Sequence, residues 1–394
     1  MTLPALPAFS RRIVETPSSA PVRLADVAMA LREQGRKIYD FSAGRASEPT
    51  PAHICAAAKR ALDEGDTHQT MAQGTTAYRR ACARKLARDN GVVADPDRHL
   101  IATMGTKQGL MLALMALLDP GDEVIVEDPC FVSYQPEIRF CGGRAVEVPL
   151  RAEQGFRWTY DELLAAVTPR TRAILSCNPH NPTGVVLTET QLDVIARVAL
   201  ERGLYVISDE IYERMPWGGR RHVSMASRPG MADRTVTLMG TTKGFAMGGW
   251  RIGFNHAPEP VIRAMIVIQQ HMQTSASSIA QAGATVAFGD DYPPALTDLW
   301  ADWERRCMRV AAEVNTIPGI RCAVPEGGFY AWIDIRSLNQ SSEALAERLL
   351  REQGIALVPG SAFGRNGEGF LRMTCVKSWP DLEEGLVRLR RGLA

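Results

Sequence analysis

Short β-rich runs alternate with helical stretches from about residue 98 to residue 255, and this alternation constrains the fold more than any other feature. Segments such as Lys107–Leu118 and Glu189–Arg202 repeat apolar residues with a helical period, and turn residues separate them from the runs. The pattern predicts a mostly parallel α/β sheet flanked by helices. The predicted strands are His99–Thr103, Glu123–Glu127, Ala145–Pro149, Ala173–Cys177, Tyr205–Ser208, Val236–Met239 and Arg251–Asn255.

The C-terminal third predicts a second, smaller α+β unit. A long helix near Pro294–Asn315 precedes the β-type runs Ile320–Ala323 and Phe329–Ile335, and a helix over Ser342–Glu352 follows. A chain of 394 residues exceeds the size at which one core stops growing, so two units are expected. We predict a large domain over residues 49–287 and a small domain formed by residues 1–48 together with 288–394.

Composition excludes several classes of function. The net charge of +1 gives no reason to expect nucleic acid or a membrane surface as a partner. No apolar run has the length of a signal peptide or of a membrane span, which predicts a cytoplasmic protein. The eight cysteines are scattered without a C-x-x-C pair, so we predict no metal site and no disulfide framework.

One lysine, Lys243, stands in a loop of small residues after the predicted strand Val236–Met239, and Arg251 follows eight residues later. A primary amine among small residues can form a Schiff base with an aldehyde cofactor, and a guanidinium nearby can bind a phosphate. The ordinary alternative is a solvated loop lysine beside a surface arginine.

Two segments offer contacts for a planar, phosphorylated ligand. Gly105, Thr106 and Lys107 stand between a predicted strand and a helix, where free backbone N–H groups bind anions. Phe131 follows the strand Glu123–Glu127 and could stack on a planar ring. Taken alone, the first segment is an ordinary turn and Phe131 an ordinary core residue.

Polar side chains complete the set of candidates. Asn181 lies in the rigid turn NPHNPTG, where its amide can face a ligand oxygen. Asp209 lies at a strand end, and if it is buried it needs a cation or hydrogen bonds. A protonated pyridine nitrogen would be such a cation. Tyr212 could reach the phenolic oxygen of the same ring. Arg372, in a late β-type run, could bind a substrate carboxylate. The alternatives are loop rigidity, a helix N-cap at Asp209 and a structural salt bridge at Arg372.

In this order, the segments NPHNPTG, SDEIY, GTTKGFAMGGWRIG and GFLRMT resemble the class I and II aminotransferases, which are pyridoxal-phosphate (PLP) enzymes of the aspartate aminotransferase fold. The resemblance extends from Gly44 through Arg372. It implies a large PLP-binding domain, a small domain and a homodimer with active sites at the subunit interface. It also implies a small-molecule amino acid and a 2-oxo acid as substrates.

The resemblance implies a role for each matching residue. Lys243 would form a Schiff base with PLP and move the proton between the substrate Cα and the cofactor C4′, while Asp209 would keep the pyridine nitrogen protonated. Asn181 and Tyr212 would hydrogen-bond the phenolic oxygen. Phe131 would stack on the ring. The phosphate would be bound by Gly105, Thr106 and Arg251, with Lys107 in the same turn. Arg372 would bind the substrate α-carboxylate, with Gly44 and Asn181 beside it.

Four positions depart from the family pattern, and one of them is Gly248, where threonine is common. Gln69 stands where a tyrosine of the partner subunit usually contacts the phosphate, Gly240 removes a hydroxyl three residues before the lysine, and Arg45 follows Gly44 where glutamate is common. We predict an aminotransferase that moves an amino group between an L-amino acid and a 2-oxo acid by a ping-pong mechanism. A PLP-dependent lyase, decarboxylase or oxidase is the alternative. An aminotransferase-like regulator fits less well, because the segment before Gly44 is too short and too weakly basic for a DNA-binding domain.

Overall fold

The computed structural model describes residues 9–14, 16 and 20–394. The strands are β1 (Tyr39–Asp40), β2 (Leu100–Thr103), β3 (Glu123–Asp128), β4 (Arg144–Pro149), β5 (Thr171–Cys177), β6 (Tyr205–Asp209), β7 (Thr235–Gly240), β8 (Gly253–His256), β9 (Arg321–Cys322), β10 (Tyr330–Asp334), β11 (Ile355–Ala356), β12 (Val358–Pro359) and β13 (Phe370–Thr374). The α-helices are α1 (Arg11–Val14), α2 (Ala20–Glu33), α3 (Ala52–Asp63), α4 (Thr76–Lys85), α5 (Thr106–Leu117), α6 (Tyr134–Phe140), α7 (Tyr160–Ala165), α8 (Glu189–Arg202), α9 (Glu259–Met272), α10 (Ser278–Ala287), α11 (Pro294–Val314), α12 (Ser342–Arg348) and α13 (Trp379–Leu393).

A seven-stranded sheet with the order β2-β8-β7-β6-β5-β3-β4 lies at the centre of the larger part of the molecule. The pairs from β4 to β7 are parallel, whereas β8 runs antiparallel to both of its neighbours. Strands β3 and β7 are buried almost throughout, as expected for a sheet covered on both faces. The predicted mostly parallel α/β sheet is confirmed, and each predicted strand lies within two residues of an observed one.

A second, antiparallel sheet with the order β12-β13-β10-β9 forms the smaller part. Strand β1 pairs in parallel with β11, with Tyr39 opposite Ile355, so segments from both ends of the chain lie together. The predicted helix near Pro294–Asn315 is α11, and the predicted helix over Ser342–Glu352 is α12 followed by a π-helical turn. The domain limits 49–287, 1–48 and 288–394 stay a prediction.

The reversed direction of β8 brings two loops to the same edge of the large sheet. Gly253, the first residue of β8, pairs with Thr103 at the end of β2 and with Gly240 at the end of β7. This approach requires glycine, because a Cβ on Gly253 would lie 2.6 Å from the carbonyl oxygen of Met239. The loop between β7 and β8 therefore lies beside the start of α5.

The sequence placed Arg251 in a strand, and this prediction is wrong. Arg251 precedes β8 and has a φ of 53°, in the left-handed region, because the chain turns sharply before it enters the antiparallel strand.

None of the helices among residues 9–14 and 20–394 combines the length and the apolar character needed to cross a bilayer.

Candidate active site

A cavity of about 180 Å³ lies at the carboxyl ends of β5 and β6, the edge where ligands of open α/β sheets bind. Ten of the predicted site residues line it: Gly44, Thr106, Lys107, Phe131, Asn181, Asp209, Tyr212, Lys243, Arg251 and Arg372. Gly105 does not line the cavity but touches Arg251 at its rim, since a Cβ on Gly105 would lie 2.8 Å from Arg251 Nη2. The structure thus brings the predicted candidates together.

Lys243 lies in the loop that follows β7, and its side chain enters the cavity. Its Nζ donates a hydrogen bond to the carbonyl oxygen of Gly44 at 2.7 Å and lies 5.9 Å from the centroid of the Tyr212 ring. The Nζ also lies 5.6 Å from the centroid of the Phe329 ring. Lys243 is therefore a half-buried amine among aromatic faces and not a solvated loop lysine.

Asp209 ends β6 and is buried. Its Oδ2 accepts a hydrogen bond from Tyr134 Oη at 2.7 Å, and its Oδ1 accepts one from the N–H of Ile211 at 3.2 Å. Burial raises the pKa of Asp209 to about 6, against the opposing effect of these two hydrogen bonds. The N-cap alternative is wrong, because a turn and not an α-helix follows Asp209.

Arg372, from β13, connects the two parts of the site. Its Nη1 donates to Asn181 Oδ1 at 2.9 Å and its Nη2 donates to the carbonyl oxygen of Ser42 at 2.8 Å. Its guanidinium lies 4.1 Å from the centroid of the Tyr330 ring. Its Nε is buried without a partner, and no described carboxylate forms an ion pair with it. A structural salt bridge is therefore not its role among the described residues, and an N–H group remains for an anionic ligand.

The phosphate site predicted at Gly105 is the amino-terminal end of α5, where no side chain caps the helix. Gly105 has a φ of 77° and precedes α5, and no side chain caps the first turn, which contains Thr106 and Lys107. Arg251 Nη2 donates to the carbonyl oxygen of Met104 at 3.4 Å. Backbone N–H groups and a guanidinium at one corner form a site for a phosphate group.

Comparison with known proteins identifies the family. The family model of the class I and II aminotransferases matches residues 36–389. The chain belongs to this family. The match confirms the resemblance seen in the sequence and the prediction of an aminotransferase.

Relatives and solved structures agree with this family. The aspartate aminotransferase of Musicola paradisiaca is 37% identical over 352 residues, 89% of this chain and 88% of that protein. The aromatic-amino-acid aminotransferase 2 of Thermococcus litoralis is 38% identical over 369 residues, 91% of this chain and 95% of that protein. The solved structure of the Thermus thermophilus aspartate aminotransferase with maleate is 37% identical and has a TM-score of 0.93, covering 98% of this chain and 100% of that one.

The sequence missed five residues that line the cavity of this aminotransferase: Tyr134, Cys177, Ile211, Thr242 and Tyr330. Tyr134 lies three residues after Phe131 across one turn, and its N–H donates to the carbonyl oxygen of Phe131 at 3.0 Å. Cys177 ends β5 directly beside Asp209 in β6. Tyr330 comes from the small sheet, and no local motif places a residue of that sheet in the cavity.

Three of the departures from the family pattern, Gln69, Arg45 and Gly240, lie in different surroundings. Gln69 and Arg45 are exposed and do not line the cavity. Gly240 is crowded, since a Cβ there would lie 3.2 Å from Gly253 Cα and 3.3 Å from Ile211 Cδ1. The tight pairing of β7 with β8 thus explains the glycine in place of a larger residue.

Proposed function

We propose that this aminotransferase binds PLP as a Schiff base of Lys243 and moves an amino group between an L-amino acid and a 2-oxo acid. One observation carries the proposal: an amine (Lys243), a buried carboxyl group (Asp209) and the guanidinium of Arg372 line one cavity of about 180 Å³.

The residues present fit PLP. Asp209 offers a buried acceptor that needs a cationic partner, and a pyridinium nitrogen is one. The start of α5 and Arg251 offer a phosphate site, and the absence of a side chain at Gly105 keeps that site open. Phe131 lies at the same cavity and presents a ring for stacking.

When bound, PLP supplies an electron-withdrawing ring that stabilises negative charge at the substrate Cα. The chain supplies the groups that move and hold protons. The amine of Lys243 removes the proton from Cα and returns one. Asp209 keeps a proton on the ring nitrogen, and Tyr212 with Asn181, whose polar atoms lie 3.5 Å apart, hold the phenolic oxygen.

Arg372 is the candidate for the substrate α-carboxylate. Asn181 and Ser42 accept two of the five N–H groups of its guanidinium, and the residue lines the cavity, so N–H groups remain for the oxygens of a carboxylate. Similar enzymes are named for aspartate and for aromatic amino acids, so both classes belong in a donor screen.

We also propose a homodimer with shared active sites. Four exposed apolar residues lie in three neighbouring segments of the large domain: Met71, Met115, Val267 and Met272. Gln108 of α5 bonds to Gln273, and Gln269 of α9 bonds to Ala72, so these segments are continuous. The segment that contains Met71 also carries Gln69, which we place near the active site of the second subunit. The cytoplasmic location stays a prediction.

Sedimentation tests the dimer. Val267→Lys should weaken self-association because it introduces a charge into this surface, whereas Leu200→Lys on α8, at a similarly exposed apolar position, should not. Equal sedimentation of the two variants would contradict the proposed interface.

A donor screen tests the reaction. Purified enzyme is incubated with aspartate and with aromatic amino acids while the conversion of the pyridoxal to the pyridoxamine absorbance is followed. We expect stoichiometric transfer to a 2-oxo acid. Release of ammonia or CO₂ without an acceptor would favour the lyase, decarboxylase or oxidase alternative.

Substitution of the lysine tests the site. Lys243→Ala should remove both the Schiff-base absorbance and turnover, whereas Lys59→Ala, at an exposed position of α3, should retain both. Transamination retained by Lys243→Ala would refute the proposed role.

A further inference from the structure

Tyr330 is a buried hydroxyl in the cavity that comes from the small sheet. Its side chain is 2% exposed, and its Oη lies 3.1 Å from Tyr212 Oη. The guanidinium of Arg372 lies over its ring. Tyr330 therefore contacts two of the residues on which the proposed reaction depends.

The hydroxyl of Tyr330 and the amine of Lys243 both lie close to the Cα of Gly44. A Cβ on Gly44 would lie 1.9 Å from Tyr330 Oη and 3.3 Å from Lys243 Nζ. The carbonyl oxygen of Gly44 accepts the hydrogen bond of Lys243. The absence of a side chain at Gly44 thus leaves room for the hydroxyl beside the amine.

The turn before Tyr330 is anchored to the turn after Tyr212. The N–H of Gly328 donates to the carbonyl oxygen of Met215 at 2.7 Å, and the N–H of Trp217 donates to that of Glu326 at 2.7 Å. Phe329 packs edge-on against the Tyr212 ring at 5.5 Å. These contacts fix the two hydroxyls relative to each other.

The two hydroxyls differ in acidity. Burial would raise the pKa of Tyr330, but the positive charges of Lys243 and Arg372 and the hydrogen bond with Tyr212 outweigh it, so this pKa is lowered. Burial, and then the neighbouring Tyr330, raise the pKa of Tyr212 well above its ordinary value. Either hydroxyl can donate across the 3.1 Å between them. A hydroxyl has a single proton, so when Tyr212 donates its proton to the phenolic oxygen, only Tyr330 can donate to Tyr212.

We propose that Tyr330 is a positioning residue of the reaction: its hydroxyl donates to Tyr212 Oη and directs the proton of Tyr212 at the ligand beside Lys243. The inference rests on the proposed function, because it takes Lys243 as the Schiff-base residue and Tyr212 as the donor to the phenolic oxygen. Without the donation from Tyr330, the Tyr212 hydroxyl is a weaker donor, and the Schiff base holds its proton to higher pH.

A spectroscopic titration tests the inference. Tyr330→Phe keeps the ring under Arg372 and removes only the hydroxyl. The pH midpoint of the Schiff-base absorbance change should rise by roughly half to one unit, the equivalent of one hydrogen bond. Tyr205→Phe, which removes a hydroxyl at the amino end of β6, should leave the midpoint unchanged.

A double-mutant cycle separates a role through Tyr212 from a general structural role. Tyr212→Phe should raise the midpoint, and adding Tyr330→Phe should raise it no further, because the second hydroxyl then has no partner to direct. Fully additive shifts would overturn the inference. Gly44→Ala gives a second test that leaves Tyr330 itself unchanged, since its Cβ displaces the same hydroxyl and should raise the midpoint as well.

The outcomes for the two proposals are distinct. If Lys243→Ala loses the absorbance but neither Tyr330→Phe nor Gly44→Ala moves the midpoint, the proposed function stands and the role of Tyr330 is refuted. If Lys243→Ala retains the absorbance, the proposed function itself fails.

Discussion

Lys85→Met should destabilise the protein by leaving a buried carboxylate without its main partner. Lys85 is fully buried; its Nζ pairs with the carboxylate of Glu213 and donates to Asn90 Oδ1 at 2.7 Å. Burial would raise the pKa of Glu213, but the charges of Lys85 and Arg214 lower it to about 2. The ionised Glu213 therefore contributes stability above the ordinary glutamate pKa, and this contribution is lost as the pH falls toward about 2.

The size of the effect follows from the contacts that remain. Breaking a buried pair costs about 3–5 kcal/mol. Arg214 Nε stays 3.7 Å from the other oxygen of Glu213, so we expect about 3 kcal/mol, the lower end of that range. An unfolding entropy of about 2.1 cal/mol/K per residue gives about 0.8 kcal/mol/K for 394 residues, and Tm should fall by about 4 °C.

Calorimetry at neutral pH, at one fixed protein and PLP concentration, measures this shift. The matched control is the double variant Lys85→Met/Glu213→Gln, in which no charge remains unpaired and Asn90 can still bond to the amide. We expect the double variant to regain at least half of the lost Tm. A double variant as unstable as Lys85→Met would mean that lost packing, and not an unpaired charge, causes the effect.

Three further predictions concern the site. Gly44→Ala should reduce turnover by roughly a hundredfold, because its Cβ would lie 1.9 Å from Tyr330 Oη and the ring must move by more than an ångström; near-normal steady-state turnover would contradict this. The affinity for PLP, measured by absorbance titration, should fall by up to about tenfold per pH unit below pH 6, because protonated Asp209 cannot pair with a pyridinium. The variant Asp209→Asn should show a weaker dependence of PLP affinity on pH. Gly105→Ala should weaken PLP binding by roughly tenfold, through its positive φ and the contact with Arg251, but should leave the binding of phosphate-free pyridoxal unchanged.

The sequence was sufficient to predict the large sheet and the edge at which the site lies. Strands such as Glu123–Asp128 and Tyr205–Asp209 are short, apolar and separated by helical periods, and both signals are local. Asp209 is the last residue of its strand, and Lys243 and Asn181 lie shortly after theirs, so knowledge of the strands was enough to place these residues at one edge of the sheet.

The local sequence pattern could not predict the direction of a strand or the contacts between residues that are distant in the sequence. The apolar run of β8 is the same whether the strand runs parallel or antiparallel, so the left-handed turn at Arg251 was not predicted. Tyr330 reaches the cavity from another sheet, and its partner Tyr212 is 118 residues away in the chain. Such a contact depends on how the two sheets pack, which no single segment encodes.

The pairing of β1 with β11 has a consequence for synthesis on the ribosome. Domains form from the amino terminus as the chain emerges, and the seven strands of the large sheet, with Lys243 and Asp209, are complete by His256. Strand β1 waits for its neighbour until Ala356 has been made, and Arg372 comes later still. A chain that ends between His256 and Ala356 would therefore contain Lys243 and Asp209 but would lack Arg372, the proposed contact of the substrate α-carboxylate.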